Sequence, residues 1–176
     1  MKCSINHIWR SKIKQFHRFL VICFLFVGQS TGLVHAESQT CYKPYEVEAE
    51  QGIRIHSELL VIGLNCPNYV TSRGQTLIKS YQDFTRKHNK LIETYENIMI
   101  GYYTRTGVYN AESELNNLRT SLANKVALDA AKLKPNVFCK RYSGRLEVAN
   151  DLNKDSLREW AATLFPGHPV TQPLCF

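Results

Sequence analysis

Between Leu77 and Tyr102 the chain places apolar, aromatic or histidine side chains alternately four and three residues apart: Leu77, Tyr81, Phe84, His88, Leu91, Tyr95, Ile98 and Tyr102. That step repeats on one face of an α-helix. Ile78, Thr85, Ile92 and Met99 run beside it at seven-residue intervals. A stripe this broad suits a helix packed inside a bundle, whereas a dimeric coiled coil needs only a narrow seam. The opposite face carries Lys79, Gln82, Asp83, Arg86, Lys87, Lys90, Glu93 and Asn97, which suit solvent. Thr71 or Ser72 is placed to cap the start, and Gly107 lies just past the end.

Two further helices read clearly. One spans Glu46 to Asn65, with Ile55, Leu59, Ile62 and Cys66 on one face, Ile53, Leu60 and Leu64 beside them, and Pro67 as a stop. Its LLVI run predicts that the second half is the most buried. Another spans Ala111 to Lys134, capped by Asn110, with Glu112 and Glu114 in its first turn and Lys132 and Lys134 in its last. Leu115, Leu118, Leu122, Val126, Ala130 and Leu133 form its seam. From Ser143 to Phe165 the pattern is less regular. LREWAATLF reads as a short helix capped by Asp155 or Ser156, and Leu146 to Leu152 as a separate turn. Three prolines make the tail PGHPVTQPLCF extended.

The first 36 residues read as a targeting segment. Lys2, Arg10, Lys12, Lys14 and Arg18 precede the apolar run Phe19 to Gly28, and cleavage is expected after Val34-His35-Ala36. The apolar run is short for a membrane span. Without its five basic residues, 17 of the 22 remain against 15 acids, so the formal charge falls from +7 to +2. The basic balance is therefore mostly a targeting feature and argues against nucleic-acid binding. Residues 37–176 make one domain large enough to bury its own core.

That domain keeps four cysteines, Cys41, Cys66, Cys139 and Cys175, an even number that in an exported chain implies two disulfides. The connections near Pro67–Thr71 and Arg105–Asn110 are short, so the first three helices run up, down, up. A 20-residue helix is roughly 30 Å long, which separates Cys41 from Cys66. Cys139 follows the third helix and shares an end with Cys66. The predicted fold is all-α: an antiparallel up-down-up bundle with a short fourth helix and an extended C-terminal tail, joined by Cys66–Cys139 and Cys41–Cys175.

Candidate chemistry is sparse. His56, His88 and His168 lack the helical partners that metal ligation needs, no C-x-x-C-H haem attachment occurs, and no G-x-S-x-G is present. No catalytic, metal or cofactor-binding residue is therefore assigned. If Cys66 stands level with Ser72, His88 stands level with Glu50, and a structural Glu50–His88 hydrogen bond is expected. Glu46, Glu48, Glu50, Glu93 and Glu96 read as solvated helix faces. Tyr95, Tyr102, Tyr103 and Tyr109 read as core residues with hydroxyls at the rim. The topology gathers Arg73, Lys79, Lys132, Lys134, Lys140, Arg141 and Arg145 at one pole and Glu46, Glu48, Glu50, Glu112 and Glu114 at the other. The basic pole is a candidate surface for an anionic partner.

EQGIRIHSELLVIGLNC, YQDFTRKHNKLIETYENIMIGYY, LRTSLANKV and Phe138-Cys139 together resemble a group of small exported helical proteins of Gram-negative, alphaproteobacteria-like origin. The resemblance covers the first three helices and implies no activity and no site residue. The expected function is a non-enzymatic interaction protein of the periplasm or secretome. Its partner is a protein or an anionic envelope component, with at most peripheral membrane contact, and the chain is a monomer or homodimer. The alternative is a small bundle that holds an apolar or haem-like ligand between helices.

Overall fold

In the computed structural model residues 40–175 are described, and the targeting segment 1–36 lies outside them. Six helices follow in order: α1 (Pro44–Asn65), α2 (Leu77–Arg105), α3 (Ala111–Lys132), α4 (Pro135–Tyr142), α5 (Gly144–Asp151) and α6 (Lys154–Ala162). The fold is the predicted all-α bundle, and both predicted disulfides form, Cys41–Cys175 and Cys66–Cys139. Two disulfides are the chemistry of an oxidising compartment. Among the described residues no helix is long and apolar enough to cross a membrane.

α1 is the central helix. α2 packs along it, α3 and α6 cover other faces, and α4 and α5 meet it less extensively. Its burial extends from Glu46 to Gly63, so the expected concentration in the second half is corrected: Leu64 is exposed and Leu60 half-buried. The α2 stripe is placed as its periodicity requires, with Leu77, Phe84, His88, Leu91, Ile92, Tyr95, Met99, Tyr102 and Tyr103 buried. On α3, Leu115, Leu118 and Leu122 are buried, while Val126, Ala130 and Leu133 are only half-buried.

Three boundaries differ from the sequence expectation. Gly74, at φ 74°, turns a tight loop in which the Thr71 amide donates to the Gln75 carbonyl at 2.8 Å. That loop delays α2 to Leu77, with Thr76 rather than Thr71 or Ser72 at its N-cap. α3 ends at Lys132, two residues before the expected Lys134, and Pro135 begins a further helix, α4, because proline fits the first helical turn where no amide is needed. Asn153, rather than Asp155 or Ser156, caps α6, accepting from the Ser156 amide at 2.9 Å. Elsewhere the caps are as expected: Asn110 accepts from the Ser113 amide, and Gly107 takes φ 80° just after α2.

Close packing of α1 on α2 depends on one glycine above all. A Cβ added at Gly52 would lie 2.2 Å from Cε2 of Tyr95, a ring held in the core. Gly101 faces open space on α2. Gly52→Ala is therefore expected to destabilise the fold by about 1–3 kcal/mol through overpacking. Gly101→Ala is expected to stabilise it by about 0.5–1 kcal/mol through helix propensity. Urea unfolding of both variants reads the contrast; equal midpoint shifts, or a stabilised Gly52→Ala, would refute the packing register.

Candidate functional site

Glu46 and Glu50 of α1 are buried and Glu48 is half-buried, which corrects their reading as a solvated face. Glu46 is 1% and Glu50 0% exposed, and Arg54 and Glu58 are buried with them. Spaced four apart, they form one stripe along the helix, and each finds a partner from elsewhere. Both carboxylate oxygens of Glu46 accept from Arg105 at the end of α2, at 2.7 and 2.9 Å. Glu58 pairs with Arg145 of α5. Glu50 accepts from Arg54 at 3.3 Å, from the Thr171 amide at 3.0 Å and from the Thr171 hydroxyl. Burial pushes the Arg54 guanidinium down from its ordinary value, against the opposing pull of Glu50.

The C-terminal segment 168–175 is laid over this stripe. Gln51 donates to the His168 carbonyl at 2.9 Å and Arg54 to the Pro169 carbonyl at 2.8 Å. The Tyr42 amide donates to the Pro173 carbonyl at 2.8 Å, and the Cys175 amide to the Tyr42 carbonyl at 2.9 Å. Cys41–Cys175 closes the strap covalently. His168 is thus half-buried.

Where the strap meets the start of α1 and the end of α6, an apolar groove of about 570 Å³ opens. Tyr42, Pro44, Tyr45 and Val47 form one side, Ala162 and Leu164 the second, and Leu174 and Cys175 the third. Tyr42 is buried and its ring meets Tyr102 edge-on at 4.6 Å, which fixes that wall. Tyr45 and Leu164 remain 49% and 46% exposed, and neighbouring Phe165 47%. The polar member of the lining is Glu48. It accepts from Arg158 at 2.8 and 3.2 Å and from the Tyr95 hydroxyl at 2.9 Å. The Arg158 hydrogen bonds hold its carboxyl below the ordinary range. With the carboxylate so engaged, what the groove offers is apolar surface.

The predicted basic pole is only partly assembled as a free surface. Arg73 pairs with Asp151, Lys79 with Asp83, Lys132 with Asp129 and Arg145 with Glu58. Lys134, Lys140 and Arg141 are exposed with no ion pair among the described residues, and Arg141 lies over the Tyr142 ring. The acidic pole is likewise reduced, since Glu46 and Glu50 are buried and paired. Arg73, Asp83, Glu147, Asn150 and Asp151 also line a polar concavity of about 170 Å³. Its groups bond one another: the Ser72 amide donates to Glu147, and Asn150 donates to Ser80.

The expected Glu50–His88 bond does not form. The longer α1–α2 connection shifts the register, and Gly52 meets Tyr95 while Gly63 meets Ile78. His88 is thereby carried past Glu50 to lie beside Phe84, with a hydrogen bond to the Leu152 backbone. Its Nε2 is buried with no hydrogen-bond partner among the described residues, and burial lowers its pKa. His56, given no role by the sequence, meets the Tyr81 hydroxyl at 2.8 Å and Thr85 Oγ1 at 3.3 Å. Burial drives its pKa down to about 4. Of the tyrosines, Tyr95, Tyr102 and Tyr103 are buried, and the Tyr102 hydroxyl donates to the Thr40 carbonyl at 2.7 Å. Tyr109 is fully exposed.

No protein-family model, curated protein or solved structure matches the chain.

Two outcomes follow for the histidines. His88→Leu removes an unpaired buried nitrogen at the cost of one hydrogen bond, so stability is expected to change by no more than about 1 kcal/mol. His56 acts on pH dependence. Its folded ring stays neutral to about pH 4, whereas an unfolded histidine takes a proton below its model value of 6.5. The unfolded state then binds more protons, and stability falls as pH drops through that window, by up to about 3 kcal/mol. Denaturant titrations at pH 7 and pH 4.5 should show a smaller loss for His56→Gln than for the parent; equal losses would contradict the assignment.

Proposed function

We propose that the chain is an exported, non-catalytic binding protein that engages an extended apolar segment of a partner protein in the groove between α1, α6 and the strap. The groove itself carries this reading: it is apolar, open, and edged by exposed Tyr45, Leu164 and Phe165. Tyrosine and phenylalanine are enriched where proteins meet, and anchoring side chains fill such depressions. The strap also supports an extended occupant. Tyr42 and Leu174 form a parallel bridge, with Pro173 and Cys175 bonded to Tyr42. In that register the amide and carbonyl of Leu174 are turned away from Tyr42, as on a strand edge that can receive another chain.

Export is the compartment this reading requires. Two disulfides support it, and so does the targeting pattern in residues 1–36. The basic-pole alternative has less support, because four of its seven residues are neutralised within the fold.

A photo-cross-linking amino acid at position 45, with a control at exposed position 90, tests the proposal in the chain's own cellular compartment. A discrete protein adduct from position 45, absent from position 90 and lost on Leu164→Asp, is the expected result. Equal adducts at both positions, or none at 45, would overturn it. Native mass spectrometry supplies the competing outcome: a small apolar molecule displaced by Leu164→Asp would replace the partner-segment reading.

A further inference from the structure

We propose that residues 168–175 form a redox-released strap. Opening Cys41–Cys175 frees this segment from α1 and dismantles the groove, while the bundle stays joined by Cys66–Cys139. The release stands on the strap's own geometry; its consequence for binding rests on the groove reading above.

Beyond its peptide link to residue 167, the strap is tied covalently to the bundle at Cys175. Its other holds are hydrogen bonds to Tyr42, Glu50, Gln51 and Arg54 and the packing of half-buried Val170 and Leu174 against the core. Water can replace such bonds once the segment lifts. Release leaves no lone buried charge, because Glu50 and Arg54 are paired within α1 at 3.3 Å. The segment carries Pro169 and Pro173 and has no helix of its own to unfold. Few interactions therefore oppose its opening, which marks a locally releasable unit.

The two disulfides differ in access. Cys66 and Cys139 are 1% and 2% exposed, enclosed between α1 and α4. Cys175 is half-buried at the end of the strap, and it lines the groove. A dithiol reductant, either a small molecule or a protein of the dithiol oxidoreductase class, can reach it there. Its thiolate attacks the Cys175 sulfur, the bond to Cys41 breaks, and Cys41 leaves as a thiolate that takes up a proton. The reductant's second thiolate then attacks its own sulfur of the mixed disulfide. Cys175 departs as a thiolate and is protonated. The reductant ends as a disulfide, and two electrons have passed to the chain. Once Leu174 and Cys175 move away, the third side of the groove is lost.

The oxidised chain is titrated with dithiothreitol under native conditions, then alkylated and mapped by mass spectrometry. Cys41 and Cys175 are expected to label at reductant concentrations at least tenfold below those that label Cys66 and Cys139. Amide exchange in 170–175 and at Tyr42 should rise at the same step, with α2 unchanged. Loss of both disulfides together, Cys66–Cys139 opening first, or an unchanged strap after Cys41–Cys175 opens would each overturn the proposal. The double variant Cys41→Ser/Cys175→Ser then reports on binding, with an expected loss of at least fivefold in the position-45 adduct at unchanged helix content. An undiminished adduct would overturn the control of binding and leave the groove reading intact. Absence of the adduct in the oxidised parent would overturn the groove reading, and the labelling order would still decide the strap. That order is measured on the parent chain, so a variant that fails to fold does not obscure it.

Discussion

The buried stripe Glu46, Glu50, Arg54 and Glu58 is the constraint on which the architecture depends. A helix covered on all sides cannot leave a carboxylate without a partner, because removing one side of a buried pair costs about 3–5 kcal/mol. Each covering element accordingly brings a charge or a donor to a set position. Arg105 terminates α2 beside Glu46, Arg145 opens α5 beside Glu58, and Thr171 brings the strap to Glu50. Buried ion pairs add little net stability over a well-packed apolar core. What they impose is register. Sliding α2 by one turn separates Glu46 from Arg105, and lifting the strap removes the Thr171 donors from Glu50, so one arrangement is favoured over its neighbours.

The disulfides act on the same problem from the unfolded side. Cys41–Cys175 and Cys66–Cys139 join residues 134 and 73 apart in sequence. Chain-entropy arguments give loops of that size a stabilisation of about 4–5 kcal/mol each. Their roles in the fold differ. Cys66–Cys139 ties the end of α1 to α4 and so fixes the far end of the bundle. Cys41–Cys175 holds a segment that has little structure apart from its contacts with α1, and so keeps Thr171 over Glu50.

The fold was largely legible in the sequence, because the helices are amphipathic and the connections short. The 77–102 stripe gave α2, and the antiparallel topology gave both disulfides even though the first connection is longer than its composition implied. Gly74 was the missed signal there, since a glycine seven residues after the Pro67 stop is a natural turn. The Glu50–His88 pairing failed on that same error, as register propagates along a helix and a late start displaces every later pairing. The buried acids were illegible for a different reason. A glutamate on a helix reads as solvated until its partner is known, and Arg105, Arg145 and Thr171 lie 59, 87 and 121 residues away from their carboxylates. The groove needed three distant segments, yet one signal was present. Once Cys41 pairs with Cys175, Tyr42 and Leu174 must be neighbours, and both sit among the apolar residues that line it.

The contrast between the two ends of α1 gives the groove its meaning. About 30 Å separates them, from the rise of a 22-residue helix. At the far end Cys66 is covered and α4 closes over it. At the near end the covering by the described residues is incomplete: α6 stops at Ala162, and Leu164 and the strap residues Leu174 and Cys175 edge an open groove. Every charge along α1 is met, while apolar surface of Tyr45 and Leu164 stays open beside it. A chain under pressure only to fold would gain by covering that surface, since each square ångström removed from water contributes about 25 cal/mol. Leaving it open beside a wall held by a disulfide is the arrangement of a surface that another chain completes.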